Sequence, residues 1–135
     1  MGTYDSFYID YPLPIEPWIP ASYKSYIYYA FSADGFRSKS MECSSDSYHI
    51  DNNGYLYLEK SSSFEEDSKN KKTTKIYFHG HIRVHCPVYL TQDGSRDANM
   101  MLWFEYDLKF TDSLLVQAKM ISPKKEDLYE LHRNV

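Results

Sequence analysis

Residues Lys75–Cys86 read K-I-Y-F-H-G-H-I-R-V-H-C, and their character alternates with a period of two. Ile76, Phe78, Ile82, Val84 and Cys86 fall on one side, with Gly80 among them; Tyr77, His79, His81, Arg83 and His85 fall on the other. Successive side chains of a strand point to opposite faces, so this is the pattern of a half-buried β-strand. It sets the class of the fold as mainly β. It also places three of the five histidines along one polar face.

The remainder of the chain agrees. Thr3–Asp10 reads as a strand, and Met100–Phe110 as another, with Met101, Trp103 and Glu105 opposed to Leu102, Phe104, Tyr106 and Leu108. Leu114–Ile121 follows the tight turn Thr111-Asp112-Ser113. Tyr48–Ile50 and Tyr55–Glu59 flank Asp51-Asn52-Asn53-Gly54, and Asn-Gly between apolar runs is a strong hairpin signal because both residues tolerate positive φ. Tyr23–Phe31 is too aromatic for a solvated loop and is assigned to a strand; Phe36–Ser40 is a short extended piece after the Ala33-Asp34-Gly35 turn. Four prolines make Tyr11–Pro20 an extended arm outside any ladder, pinned by Leu13, Ile15, Trp18 and Ile19. Ser61–Lys72 is polar and reads as a mobile loop or a solvated extension of the hairpin, and Gln92–Ala98 as a turn. Ser122-Pro123 looks like the start of a short C-terminal helix running to about Arg133. The expected architecture is one domain over residues 1–135, an antiparallel sheet or meander of about six or seven strands. Both a sandwich and a half-barrel fit, with one short C-terminal helix.

Composition narrows function. The formal net charge of −4 lacks the basic footprint expected of a long nucleic-acid partner. No run approaches the ~18 apolar residues needed to cross a bilayer, so no membrane partner is expected. The opening residues do not read as a secretory leader, and Cys43 and Cys86 read as free thiols, so a reducing cytosol is the expected setting.

Several motifs together resemble a family of small proteins of tailed phages and prophages. They are Tyr4-Asp5, Tyr11-Pro12-Leu13-Pro14, Phe36-Arg37-Ser38-Lys39 with Cys43, the Tyr48–Leu58 hairpin, Phe78-His79-Gly80-His81-Ile82, and Phe104-Glu105-Tyr106 with Phe110-Thr111-Asp112. The chain departs from that pattern in a longer insert, Trp18–Gly35, and in Ser113 where the pattern has a turn glycine. The resemblance implies phage or prophage origin and action in the cytosol of a bacterial host. It transfers no catalytic residue.

Three kinds of site follow from the residues. The insert concentrates rings, and interface cores favour Tyr and Trp, so Trp18, Tyr26, Tyr28 and Tyr29 are the expected contacts to a host protein, with a host-defence component as the expected class of target. Lys75, His81 and Arg83 could meet rings around a nucleotide or other small anion. His79 and His81, roughly 7 Å apart on one face, could hold a divalent ion for hydrolysis if Glu105 supplied a third ligand from a neighbouring strand. The chain has no glycine-rich phosphate loop, nucleophile elbow or paired Cys-x-x-Cys. The favoured expectation is therefore non-catalytic binding without a cofactor.

Overall fold

The computed structural model describes residues 4–41, 46–60, 72–89 and 101–127. Eight strands form one sheet: β1 (Asp5–Ile9), β2 (Phe36–Ser38), β3 (Ser47–Ile50), β4 (Leu56–Lys60), β5 (Lys72–Lys75), β6 (Gly80–Tyr89), β7 (Met101–Thr111) and β8 (Leu114–Ser122). Their order is β5-β4-β3-β1-β2-β6-β7-β8. All neighbours are antiparallel except β1 and β3, which run parallel. The mainly β class is as expected, but the sheet is mixed and larger than the turn spacing suggested. It is not closed into a barrel. One isolated bridge, Tyr55 to Leu114, nevertheless brings the start of β4 against the start of β8.

The period-two pattern of Lys75–Cys86 holds for burial but not for one continuous strand. Ile82, Val84 and Cys86 are fully buried, while His81 and Arg83 are exposed and His85 is half-buried. The ladder breaks between Lys75 and Gly80, where Gly80 takes φ +139°, a conformation closed to most side chains. The intervening segment docks instead on the β7–β8 turn. The Phe78 amide donates to Ser113 Oγ at 2.8 Å, and the Ser113 amide donates to the Phe78 carbonyl at 2.7 Å. That turn has two central residues, Asp112 (φ 49°) and Ser113 (φ 73°), the signature of a type I′ hairpin made without glycine. In the Asp51–Gly54 turn only Gly54 has positive φ; Asp51 Oδ1 accepts the Asn53 and Tyr55 amides.

The larger correction concerns Tyr23–Phe31. It is not a strand but the centre of helix α1 (Ala21–Ala33). Tyr23, Tyr26, Ile27, Ala30 and Phe31 recur at i, i+3, i+4, i+7 and i+8, and these are the half-buried and buried positions. The β propensity of tyrosine is a weak preference that the packing of this stripe overrides. The Asp34 amide closes the helix on the Ala30 carbonyl at 2.9 Å, and Gly35 follows at φ +69°, the left-handed exit common after helices. A Cβ at Gly35 would lie 3.0 Å from the Tyr8 ring.

Helix α1 packs on the inner face of the central strands β1, β2, β6 and β7. The Phe31 ring lies 4.8 Å from Phe36, 5.4 Å from Phe104 and 6.0 Å from Tyr106. Phe7 stacks on Tyr48 at 4.8 Å, extending the same core across β1 and β3. The proline arm is unladdered, as expected, with Leu13 and Ile19 buried and Ile15 and Trp18 packed against the core. Tyr106 clamps it by donating its hydroxyl to the Pro14 carbonyl at 2.7 Å.

Ser122 does not cap a helix: it is a strand residue opposite Glu105, and its hydroxyl donates to the Trp103 carbonyl at 2.8 Å. A helical turn starts at residue 125, with the Lys124 amide donating to the Asp127 carboxylate at 2.7 Å. The expected extent of this helix to Arg133, the polar stretch 61–71, the Gln92–Ala98 turn and Cys43 lie outside the described residues. Among the described residues no helix is long and apolar enough to cross a membrane.

Candidate functional site

The helical assignment divides the four aromatic contact candidates. Tyr28 (50% exposed) and Tyr29 (73%) point away from the core stripe of α1. Trp18 and Tyr26 are half-buried and packed against the core. Tyr28 also lines a cleft of about 320 Å³ between α1 and the chain leaving β1, together with Phe31, Ser32, Asp10 and the Tyr11-Pro12-Leu13 element. Tyr8, 44% exposed, forms another wall. Tyr8 and Tyr11 carry no local sequence signal of a site, since they lie on the strand and the proline arm outside the aromatic insert.

The outer face of the sheet carries the polar residues. Cross-strand register places Ser6 beside Arg37, Arg37 beside His85, His85 beside Glu105 and Glu105 beside Ser122. His85 stacks on Trp103 with ring centroids 4.7 Å apart and planes 18° apart. Arg83 donates to Glu105 at 2.6 Å, and the Trp103 indole N–H donates to the same carboxylate at 3.3 Å. The Arg83 hydrogen bond outweighs burial and holds the Glu105 carboxyl below its ordinary range. Burial pushes the His85 imidazole down; Glu105 opposes this, and Arg37 and Lys39 reinforce it. Arg37 rests on a neutral partner: it donates to the Tyr4 hydroxyl at 2.9 Å, with its guanidinium 4.8 Å from that ring centre.

The proposed metal set is not brought together. His79 accepts a long hydrogen bond from the Asp112 amide (3.4 Å), His81 pairs with Asp107 at 2.8 Å, and Glu105 is held by Arg83. Among the described residues no group of three or more His, Cys, Asp or Glu side chains has metal-holding proximity. The proposed anion set is also divided. Lys75 lies on β5 with its ammonium 3.8 Å from the Tyr55 ring centre, whereas His81 and Arg83 face carboxylates of β7. Cys86 is buried, and burial raises its thiol to about 12, so it is not a thiolate nucleophile at neutral pH.

No family model, curated protein or solved structure matches this chain.

Proposed function

We propose that this chain is a small accessory protein of the phage type that works by binding a host protein, and that the partner belongs to host defence. The observation that carries the reading is the placement of Tyr8, Tyr28 and Tyr29. Tyr8 and Tyr28, each more than two-fifths exposed, line one cleft, and Tyr29, 73% exposed, follows Tyr28 on α1. Tyrosine presents wide amphipathic area at small entropic cost, and such anchors beside a pocket dominate interface energies. The phage-like motifs supply the cellular setting. The expected contacts become Tyr8, Tyr28 and Tyr29, with Trp18 and Tyr26 supporting them from the core side.

The test is capture of the tagged chain's partners from host lysate, with the bound proteins identified by mass spectrometry. A Tyr28→Ala, Tyr29→Ala double variant leaves the core stripe intact. It should retain the wild-type circular dichroism and lose at least nine-tenths of the specific partner. Undiminished capture by this variant would refute the assignment.

A further inference from the structure

The cleft between α1 and the chain leaving β1 is small and walled by rings. Its volume of about 320 Å³ lies at the low end of ligand sites, which run from roughly 300 to 1,000 Å³. It therefore suits one side chain of a partner better than a folded element. Tyr8, Tyr11 and Tyr28 supply its aromatic walls. Two of these rings are fixed by their surroundings. Tyr8 lies against Gly35, where an added Cβ would come within 3.0 Å of the ring. Tyr28 meets Phe31 edge to face, with centroids 6.3 Å apart and planes at 90°.

The electrostatics of the cleft favour a cation. Among the described residues Asp10 is the one charged residue of the lining. Its Oδ2 pairs with His49 Nε2 at 2.6 Å, and His49 Nδ1 lies 3.7 Å from Glu59. Two carboxylates about one imidazole leave this group negative whichever protonation state His49 takes. Among the described residues Asp10 Oδ1 accepts no hydrogen bond, and the side chain is 66% exposed. Phe31 and Ser32, also of the lining, belong to the last turn of α1, which carries no basic residue. The carbonyl end of a helix attracts positive charge within that turn. Two cations are near in register or sequence, and neither enters the lining. Arg37, opposite Ser6, is held over the Tyr4 ring, and Lys24 stands one turn before Tyr28 on α1.

Rings and a carboxylate around so small a space suit a guanidinium. It is planar and weakly hydrated, stacks on aromatic faces and offers a fixed fork of N–H donors, whereas an ammonium is a compact, strongly hydrated charge. We propose that the cleft receives an arginine side chain of the protein partner, its guanidinium stacked on a tyrosine of the lining and donating to Asp10. This rests on reading the tyrosine surface as a protein interface, and it names the chemistry that the partner must present.

The experiment is an NMR titration of the isotope-labelled full chain with the blocked tripeptide acetyl-Gly-Arg-Gly-amide. The same peptide with lysine, citrulline or norleucine at its centre serves for comparison. Citrulline keeps the shape without the charge, and norleucine keeps an apolar stem alone. Shifts should centre on the amides of Tyr8, Asp10, Tyr28 and Ser32, and the arginine peptide should bind tightest. Asp10→Asn, whose amide oxygen still accepts from His49, should weaken the arginine peptide about three- to fivefold and leave the citrulline peptide unchanged. Tyr28→Ala should weaken it by about the same factor, the size of an exposed cation–π contact, and Tyr28→Phe should restore it. Absence of binding, shifts centred elsewhere, equal affinity for any comparison peptide, or arginine binding indifferent to Asp10→Asn would each overturn the proposal. The peptides need no host protein, so the two readings can be told apart. Host capture lost in the Tyr28→Ala, Tyr29→Ala double variant but intact in Asp10→Asn would overturn the arginine and spare the interface. Arginine-peptide binding alongside capture indifferent to the double variant would support the ligand class of the cleft and refute the interface.

Discussion

The two faces of the sheet are built from alternate residues of the same strands, yet different physics holds them. Along β7, Leu102, Phe104, Tyr106, Leu108 and Phe110 are buried, whereas Trp103, Glu105, Asp107 and Lys109 alternate with them on the other side. The inner face is held by area removed from water and by ring packing under α1. The outer face is held by exposed ion pairs, which contribute little to stability but fix where charge sits. The cost of substitution to stability should therefore be concentrated on the inner side of each strand.

The sharpest contrast is between adjacent residues. Phe104→Ala removes a buried ring from the Phe31 cluster and should cost about 3–5 kcal/mol. Trp103→Ala, one step away on the outer face, should cost about 1 kcal/mol or less. Equal denaturant midpoints for the two variants would abolish the distinction between the faces.

Next comes the hydrogen bond that fastens the proline arm. Tyr106→Phe keeps the ring but strips the Pro14 carbonyl of its donor, at a cost of about 1–3 kcal/mol. Proteolysis within the arm should accelerate in the variant; an unchanged rate and midpoint would mean the arm is held by its apolar residues alone.

At the β7–β8 turn, Ser113→Ala should cost about 1 kcal/mol, since it keeps the positive φ and loses the hydroxyl that receives the Phe78 amide. Ser113→Gly loses the same bond but relieves the backbone, so it should fall between wild type and Ala. The reverse order in thermal unfolding would show that the hydroxyl is unimportant there.

On the outer face, Arg83→Ala should cost under about 1 kcal/mol and lose even that at high salt, because Arg83 is half exposed. A large, salt-insensitive loss would assign the ion pair a structural role.

The smallest effect is with pH. The folded pKa of His85 lies below its ordinary 6.5, and that of Glu105 below its ordinary 4.5. Both groups therefore bind protons more readily when unfolded, so each contribution is complete above the ordinary value and is lost as pH falls through the folded one. His85→Gln should flatten the decline in stability between pH 7 and 5 relative to wild type. Identical slopes for the two proteins would show that His85 carries none of it.

What was legible in the chain followed from short-range patterns. Alternation identified the inner residues of β6 and β7, and the prolines identified the arm. The same kind of pattern was present in Tyr23–Phe31 at a period near 3.6, with Pro20 before it and Asp34-Gly35 after it. The average preference of rings for strands competes with it. The two periods also predict different outward tyrosines, since Tyr26 and Tyr28 share a face on a strand but not on a helix.

The alternation of β6 and β7 follows from the sequence alone, because the period of a strand and the cost of leaving apolar area in water act locally. The partnership of Arg37 with His85, 48 positions apart, does not. Neither does the capture of Phe78 by Ser113, nor the placement of β3 parallel to β1 across the intervening helix. Those depend on strand order, which is selected by how α1 and the proline arm close over the inner rings. That closure is a balance of long-range contacts that no window along the chain contains.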